Sequence, residues 1–137
     1  MTLNPEILEQ SFEQVKFQAE EFSKSFYENL LSDFPQLTPL FAESNMVEQR
    51  QKLFKSLVLV VENVREPMKL IPSLRGLGRR HIKYGVLPSH YPMVGNSLIK
   101  TLKFYLGSNW TAEIERAWLD AFELITSTML DDKTPEP

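Results

Sequence analysis

Apolar residues recur at steps of three and four positions through nearly the whole chain, and this spacing restricts the fold more than any other feature. The first example is the stripe Leu8, Phe12, Val15, Ala19 and Phe22. A period of about 3.6 residues is typical of an amphipathic α-helix, and no segment alternates as a half-buried strand does. Because amphipathic helices bury their apolar faces against one another, the pattern predicts an all-α domain of five or six helices.

Capping residues and prolines predict where the helices begin and end. Asn4 followed by Pro5 predicts an N-cap and a first-turn proline, and Pro35 ends the stripe that continues from Phe22. Residues 36–40 are then a turn or a short tight helix. The third helix is predicted from about Asn45–Val47 to Val64. A fourth, shorter helix contains Leu70, Leu74, Leu77 and His81 and ends at Gly85. The last two helices are predicted from Pro88-Ser89 to Gly107–Asn109 and from the cap Thr111 through Met129.

Composition excludes several kinds of site. The 137 residues include no cysteine, which excludes disulfides, zinc–cysteine sites, iron–sulfur clusters and thiol catalysis. Two histidines are too few for a metal site built from several imidazoles, and a net charge of −3 gives no overall attraction to nucleic acid. Residues 1–137 are predicted to form one domain, with residues 131–137 as a polar tail.

No segment predicts secretion or membrane insertion. The first ten residues lack the basic start and the apolar run of a signal peptide. The longest apolar run, Leu57–Val61, is far shorter than a membrane span. We therefore expect a cytoplasmic protein with no membrane span.

Two polar residues, His81 and Gln49, fall on helix stripes that face inward. One interpretation makes His81 a core histidine bonded to a backbone carbonyl and Gln49 an exposed residue at a helix start. The other places both on one cavity. A lone histidine with no second protein ligand suits haem iron, because the porphyrin supplies four nitrogens and the protein adds one imidazole. Nine phenylalanines are available to line such a pocket, whereas a glycine-rich phosphate loop and a GxSxG nucleophile turn are both absent.

Six short stretches resemble the globin family in the same order along the chain. Leu77–Val86 resembles the segment that carries the proximal histidine. The others are Phe26–Leu30, Pro39–Phe41, Gln49–Leu53, Ser89–Gly95 and Ala117-Trp118. From about residue 5 to about residue 130, the chain is similar to single-domain bacterial haemoglobins and to the globin domain of flavohaemoglobins. The resemblance implies a globin fold, a three-on-three helical sandwich around a haem pocket.

The resemblance also implies a role for each matching residue, with haem b as the cofactor. His81 is then the proximal iron ligand, and Tyr27 and Gln49 are the distal polar pair. The pocket residues implied are Phe41, Lys52, Leu53, Leu77, Arg80, Val86, Tyr91, Val94 and Phe122. Lys52 and Arg80 then reach the haem propionates, unless they are merely exposed solubilising cations.

The function implied is reversible, high-affinity binding of dioxygen at a five-coordinate ferrous haem, for storage or transport. Carbon monoxide and nitric oxide bind the same kind of pocket. His90 lies off the distal stripe, which argues against a second histidine ligand. One alternative is a nitric oxide dioxygenase that works with a separate reductase, since flavin and nicotinamide domains lie outside these 137 residues. A haem-based gas sensor and a haem-free interaction module are the remaining alternatives.

The resemblance departs from the family on the proximal side. In flavohaemoglobins a glutamate late in the last helix pairs with the tyrosine at the Tyr91 position and with the proximal histidine. Counting from Trp118 without gaps, that position is Lys133, with Asp131 and Asp132 beside it. The complete tyrosine–glutamate–histidine network is therefore not predicted for this chain.

Overall fold

A computed structural model describes residues 3–131, and the chain is helical over most of that range. The helices are α1 (Pro5–Lys16), α2 (Ala19–Asp33), α3 (Met46–Asn63), α4 (Pro67–Lys83), α5 (Tyr91–Leu106) and α6 (Ala112–Met129). Short 3-10 turns cover Pro35–Phe41, Pro88–His90 and Gly107–Asn109. Residues 3–131 form no strand, so the predicted all-α class is confirmed.

Capping groups lie where the sequence predicts them. The Asn4 side chain accepts a hydrogen bond from the Ile7 N–H at 3.2 Å. The Thr111 hydroxyl accepts one from the Ile114 N–H at 3.1 Å. Gly85 follows the last residue of α4 by two positions and has a φ of +91°, a left-handed conformation that glycine adopts without steric cost.

Two predicted boundaries differ from the structure. The first stripe runs unbroken from Leu8 to Phe22, yet the chain turns between α1 and α2, where Phe17 is 88% exposed. The helix that contains His81 is not short, because α4 has 17 residues and α5 has 16. Pro72 lies inside α4 on its exposed face, where the carbonyl left without an amide partner can be hydrated.

The helices bury two apolar clusters. The main cluster lies where α2 packs against α3 and α5, and where α1 packs against α3, α5 and α6. Its largest buried side chains include Phe12, Phe22, Phe26 and Trp118, and the Trp118 indole N–H donates to the Ser11 hydroxyl at 2.9 Å. The α4 cluster consists of Val60, Leu70, Leu74, Tyr91 and Met129. Because Val60 belongs to α3 and Met129 to α6, these two helices pack against α4.

The C-terminal end of the described chain is also anchored. Asp131, the first residue of the predicted polar tail, accepts a hydrogen bond from Arg75 of α4 at 3.1 Å. Residues 132–137 lie outside the described residues. Across residues 3–131, each helix is too short or too polar to cross a membrane.

A glycine sets how closely α4 approaches α6. Gly78 is buried, and a Cβ placed on it overlaps the backbone of Met129 in α6. Backbone atoms of a packed helix do not give way as the end of a flexible side chain does. The close approach of the two helices therefore requires glycine at this position, three residues before His81.

We expect Gly78→Ala to destabilise the fold by roughly 1–3 kcal/mol, because the new methyl group forces α4 and α6 apart. Gly76→Ala is the matched control in the same helix. Its Cβ meets only the ends of the Arg79 and Arg80 side chains, at 3.9 and 3.7 Å. That control gains up to about 1 kcal/mol of helix propensity. Urea unfolding of both variants measures the difference, and equal stability of the two contradicts the packing argument.

Candidate functional site

Tyr27 of α2 and Gln49 of α3 are in direct contact. The Gln49 Nε2 group donates to the Tyr27 hydroxyl oxygen at 3.1 Å. Gln49 lies one turn inside α3, whose start is fixed by the Asn45 side chain accepting from the Glu48 N–H at 3.2 Å. The two side chains that were predicted as a distal pair thus form one polar group at the junction of α2 and α3.

Aromatic rings surround the Tyr27 ring. Its centroid lies 4.9 Å from that of Phe26 and 5.5 Å from that of Phe41, both edge to face. Burial raises the pKa of the Tyr27 phenol above 10.0, and the hydrogen bond from Gln49 lowers it by a smaller amount. The phenol therefore keeps its proton at neutral pH. Among residues 3–131 no group accepts that proton, and one of the two Gln49 amide N–H groups is also left unused.

The His81 imidazole is held by its own helix. Its Nδ1 lies 2.9 Å from the Leu77 carbonyl oxygen, one turn earlier, and donates to it in the neutral tautomer that this contact favours. A bond of this kind fits both predicted interpretations, since a core histidine and a metal-bound histidine each anchor one ring nitrogen. The other nitrogen distinguishes them. Nε2 has no partner among the described residues, and the ring is only half-buried.

The surroundings of His81 favour the neutral imidazole. Burial lowers its pKa below 6.5, the Leu77 bond raises it by less, and the nearby Arg80 cation lowers it further. A neutral ring has a free lone pair on Nε2, which is the form that binds a metal. The site therefore provides one nitrogen ligand.

The lowered pKa of His81 makes the stability of the haem-free protein depend on pH. The unfolded chain takes up this proton at a higher pH than the folded one. The stabilising contribution is therefore complete above about pH 6.5 and is lost as the pH falls below that value. Between about pH 7.5 and about pH 5.5, we expect the wild-type protein to lose more unfolding free energy than His81→Gln, measured in urea. Protonation of carboxylates lowers the unfolding free energy of both proteins alike. Equal losses of unfolding free energy in the wild type and His81→Gln would therefore contradict the lowered pKa of His81.

A crevice of about 320 Å³ separates α3 from α4. Its lining residues are Ser56, Leu59, Pro72, Ser73, Gly76, Leu77 and Arg80. Along α3 and α4, the inward-facing residues are buried near the turn that connects the two helices and half-buried at the ends far from that turn. Leu57 and Leu74 belong to the buried ends, whereas Gln49, Leu53 and His81 belong to the half-buried ends.

The other predicted pocket residues divide between the two apolar clusters. Tyr27, Phe41, Leu53, Val94 and Phe122 belong to or pack against the main cluster. Leu77, Val86 and Tyr91 belong to or pack against the α4 cluster. Most of these side chains are apolar but incompletely buried, so a flat apolar group between the clusters would cover surface that the protein leaves exposed. One free imidazole nitrogen and apolar walls are what a haem requires, and the residues fit it.

The two predicted pocket residues that carry a charge lie outside this apolar lining. Lys52 and Arg80 are exposed, and neither forms an ion pair with the described residues. The Tyr91 ring centroid is 6.4 Å from that of His81, yet no hydrogen bond links its hydroxyl to the described residues. Lys133, the position of the family glutamate, lies outside the described residues. His90 accepts from the Leu87 N–H at 3.0 Å and caps a turn.

Two glycines that shape the site were not predicted as functional. Gly78 brings α4 against α6, and Gly95 of α5 is so close to Phe122 that a Cβ would overlap its ring. The available signal was a glycine inside an otherwise helical pattern, which usually has a packing reason. Leu59 and Ser56 of the crevice carried no comparable signal, because they lie beside the inward stripe and not on it.

Comparison with known proteins agrees with this arrangement. The model of the family described as Globin matches residues 24–129. The flavohemoprotein of Bacillus subtilis is 28% identical over 127 residues, which cover 91% of this chain and 32% of the relative. That of Rhizobium meliloti is 32% identical over 99 residues, which cover 71% of this chain and 25% of the relative. The chain thus spans a third or less of the length of these relatives.

Two solved structures show the same fold. A bacterial globin from Campylobacter jejuni superposes with a TM-score of 0.79 at 24% identity, covering 93% of this chain and 91% of that one. An engineered carbene transferase from Rhodothermus marinus, described as a candidate nitric oxide dioxygenase, superposes with a TM-score of 0.83 at 23% identity over the same shares. The family model covers more than half of the chain, and the helical arrangement agrees with it. The chain belongs to the globin family.

Proposed function

We propose that this globin is a cytoplasmic haem b protein that binds dioxygen reversibly and with high affinity. Membership of the globin family implies haem binding. Haem b, when bound, supplies the iron that holds the gas and makes it partly negative. The observation that carries the proposal is the Tyr27–Gln49 pair, which has two unused hydrogen-bond donors, together with the unpartnered Nε2 of His81.

The proposal gives each polar residue one task. His81 would hold the iron through Nε2, while the Leu77 carbonyl fixes the orientation of the ring. The Tyr27 O–H and the second Gln49 N–H would donate to a partly negative bound gas. Each such bond contributes about 1.5–3 kcal/mol, so the pair would slow the release of dioxygen on the order of a hundredfold or more. Carbon monoxide carries less charge and would gain less.

Lys52 and Arg80 are proposed as partners of the haem propionates. Both are exposed cations, one on α3 and one on α4, the two helices that flank the crevice. Neither residue forms an ion pair with residues 3–131, so the Lys52 ammonium group and the Arg80 guanidinium group are available for an anionic ligand. His81 would be the one histidine that holds the iron, because His90 already caps a turn.

Reversible binding is tested by oxygen equilibrium measurements on the reduced, haem-loaded protein. We expect saturation at low oxygen pressure, slow dissociation in stopped-flow, and full recovery of the deoxygenated spectrum when oxygen is removed. Rapid irreversible oxidation of the iron on contact with oxygen contradicts the proposal.

A second candidate function is nitric oxide dioxygenation, turning nitric oxide and dioxygen into nitrate with electrons from a separate reductase. It is favoured by the similarity to proteins named flavohemoproteins and by the Rhodothermus marinus neighbour. The test mixes the oxygenated protein with nitric oxide in the presence of an external reductant. Repeated turnover to nitrate supports the enzyme, whereas one stoichiometric oxidation leaves reversible binding as the function.

A further inference from the structure

Charge is distributed unevenly along this chain. Residues 67–112 contain no acidic residue. The cations of that segment are Lys69, Arg75, Arg79, Arg80, Lys83, Lys100 and Lys103. All 18 acidic residues lie elsewhere, so a protein with a net charge of −3 carries one strongly basic segment. This segment includes the whole of α4 and therefore His81.

Some of these cations are already paired by acids from outside the segment. The pairs are Lys69 with Glu66, Arg75 with Asp131 and Lys100 with Asp33. Arg79, Arg80 and Lys83 are exposed on the last turns of α4 and form no ion pair with residues 3–131. The guanidinium groups of Arg79 and Arg80 both lie beside Gly76, which concentrates positive charge at one place.

Apolar side chains are exposed next to these cations. Ile82, Tyr84 and Leu87 are 59%, 64% and 55% exposed, respectively. We name the surface formed by Arg79, Ile82, Lys83, Tyr84 and Leu87 the α4-end surface; Arg80, which is proposed to hold a haem propionate, is not counted in it. A helix C-terminus attracts cations through its dipole, which accounts for the arginines and the lysine but not for the apolar residues. Cations around exposed apolar and aromatic groups are typical of a binding surface.

We propose that the α4-end surface docks an acidic flavoprotein that delivers electrons to the haem. The proposal rests on the proposed function, and it adds the place of docking and the chemistry of the partner. The ring centroid of Tyr84, in this surface, lies 6.2 Å from that of His81, so a docked partner lies close to the proposed iron ligand. Arg79 and Lys83, which form no ion pair with residues 3–131, favour an acidic partner. Two copies of this chain meeting through the same surface would oppose like charges, which disfavours a symmetric dimer here.

The step that this docking serves is a simple electron transfer. With haem bound, the reduced flavin of the partner would give up one electron and the ferric iron would take it up, so the flavin would be oxidised and the iron reduced by one electron each. No bond forms or breaks in this chain. Its own residues contribute charge attraction, through Arg79 and Lys83, and apolar contact, through Ile82, Tyr84 and Leu87.

Direct binding is the first test, with flavodoxin as the acidic flavoprotein probe and the haem-loaded globin at low ionic strength. The variant is Arg79→Glu with Lys83→Glu, and neither residue belongs to the haem site. The matched control is Lys24→Glu with Lys55→Glu, which changes the net charge equally from exposed positions on α2 and α3. We expect binding by the α4 variant to be at least about tenfold weaker than binding by the control. Amide signals of residues 79–87 should shift when flavodoxin is added to the wild type.

Reduction kinetics are the second test. Reduced flavodoxin should reduce the ferric wild type and the control at rates that fall with added salt, and it should reduce the α4 variant at least about tenfold more slowly than the control. Dithionite, which needs no docking, should reduce all three alike. For the apolar part, Leu87→Ser should slow reduction by flavodoxin several-fold, whereas Phe104→Ser, at a residue 76% exposed on α5, should not.

Three results overturn the inference. The first is an equal effect of the α4 variant and the control on flavodoxin binding. The second is reduction of the α4 variant by flavodoxin as fast as the control. The third is selective capture of the wild type by phosphatidylglycerol vesicles while flavodoxin kinetics stay unchanged, which identifies a lipid surface as the partner. Haem content and oxygen binding are measured on the same samples, so failure of the proposed function is distinguished from failure of the docking surface.

Discussion

Replacing His81 with alanine should weaken haem binding at least about a hundredfold and remove the spectrum of an imidazole-ligated iron. The imidazole Nε2 is the one nitrogen that the described site offers to an iron, and the apolar walls alone hold a haem without ligating it. Loss of the coordinate bond should weaken haem binding by roughly 3 kcal/mol or more, on the order of a hundredfold. Haem titration of the haem-free variant, followed in the Soret region, measures the loss.

Two further variants make the His81 result specific. His90→Ala removes the only other imidazole and the turn cap at Leu87, and it should retain normal haem binding. His81→Gly leaves room for free imidazole, which should restore the five-coordinate spectrum when added. Haem bound by His81→Ala with wild-type affinity and an unchanged spectrum would assign the iron ligand to another residue.

Replacing Tyr27 with phenylalanine should accelerate the release of dioxygen. The change removes the phenol O–H, which is unused within the described residues, while the ring keeps its contacts with Phe26 and Phe41. Loss of a bond worth about 1.5–3 kcal/mol raises the dissociation rate roughly ten- to a hundredfold. Dissociation of carbon monoxide should change much less. Stopped-flow replacement of oxygen by carbon monoxide gives the rate.

Tyr105→Phe is the matched control for this prediction. It removes a phenol that is bonded to Ser25 at 2.9 Å and forms no hydrogen bond with Tyr27 or Gln49. The control should leave gas dissociation unchanged. If Tyr27→Phe also releases dioxygen at the wild-type rate, Tyr27 does not belong to the distal site.

Local signals in the sequence predicted the helices well. Periodicity, the caps Asn4 and Thr111, and the glycine at 85 depend on interactions within a few residues, and a single sequence contains them. The turn at Phe17 escaped prediction because the apolar stripe continues across it from one helix to the next. The length of α4 was underestimated because the inward stripe extends only from Leu70 to His81, whereas α4 begins at Pro67 and ends at Lys83.

The candidate site was predictable in its residues but not in its geometry. His81 and Gln49 stand out as polar residues on inward stripes, and the family resemblance added Tyr27. That Gln49 donates to Tyr27 depends on how α2 and α3 cross, which no short segment determines. The same holds for Gly78, whose importance follows from the backbone of α6 at Met129. The basic segment was visible in the sequence, but the exposure of Ile82, Tyr84 and Leu87 was not.

The most direct test of the central claim is an absorption spectrum of the purified wild-type protein, expressed with haem available and recorded in ferric, ferrous, oxygen-bound and carbon monoxide-bound forms. The account predicts a strong Soret band, a five-coordinate ferrous form that binds both gases, and loss of that spectrum in His81→Ala. Absence of a Soret band after haem is added to the folded protein would contradict it and leave a globin fold that works without haem.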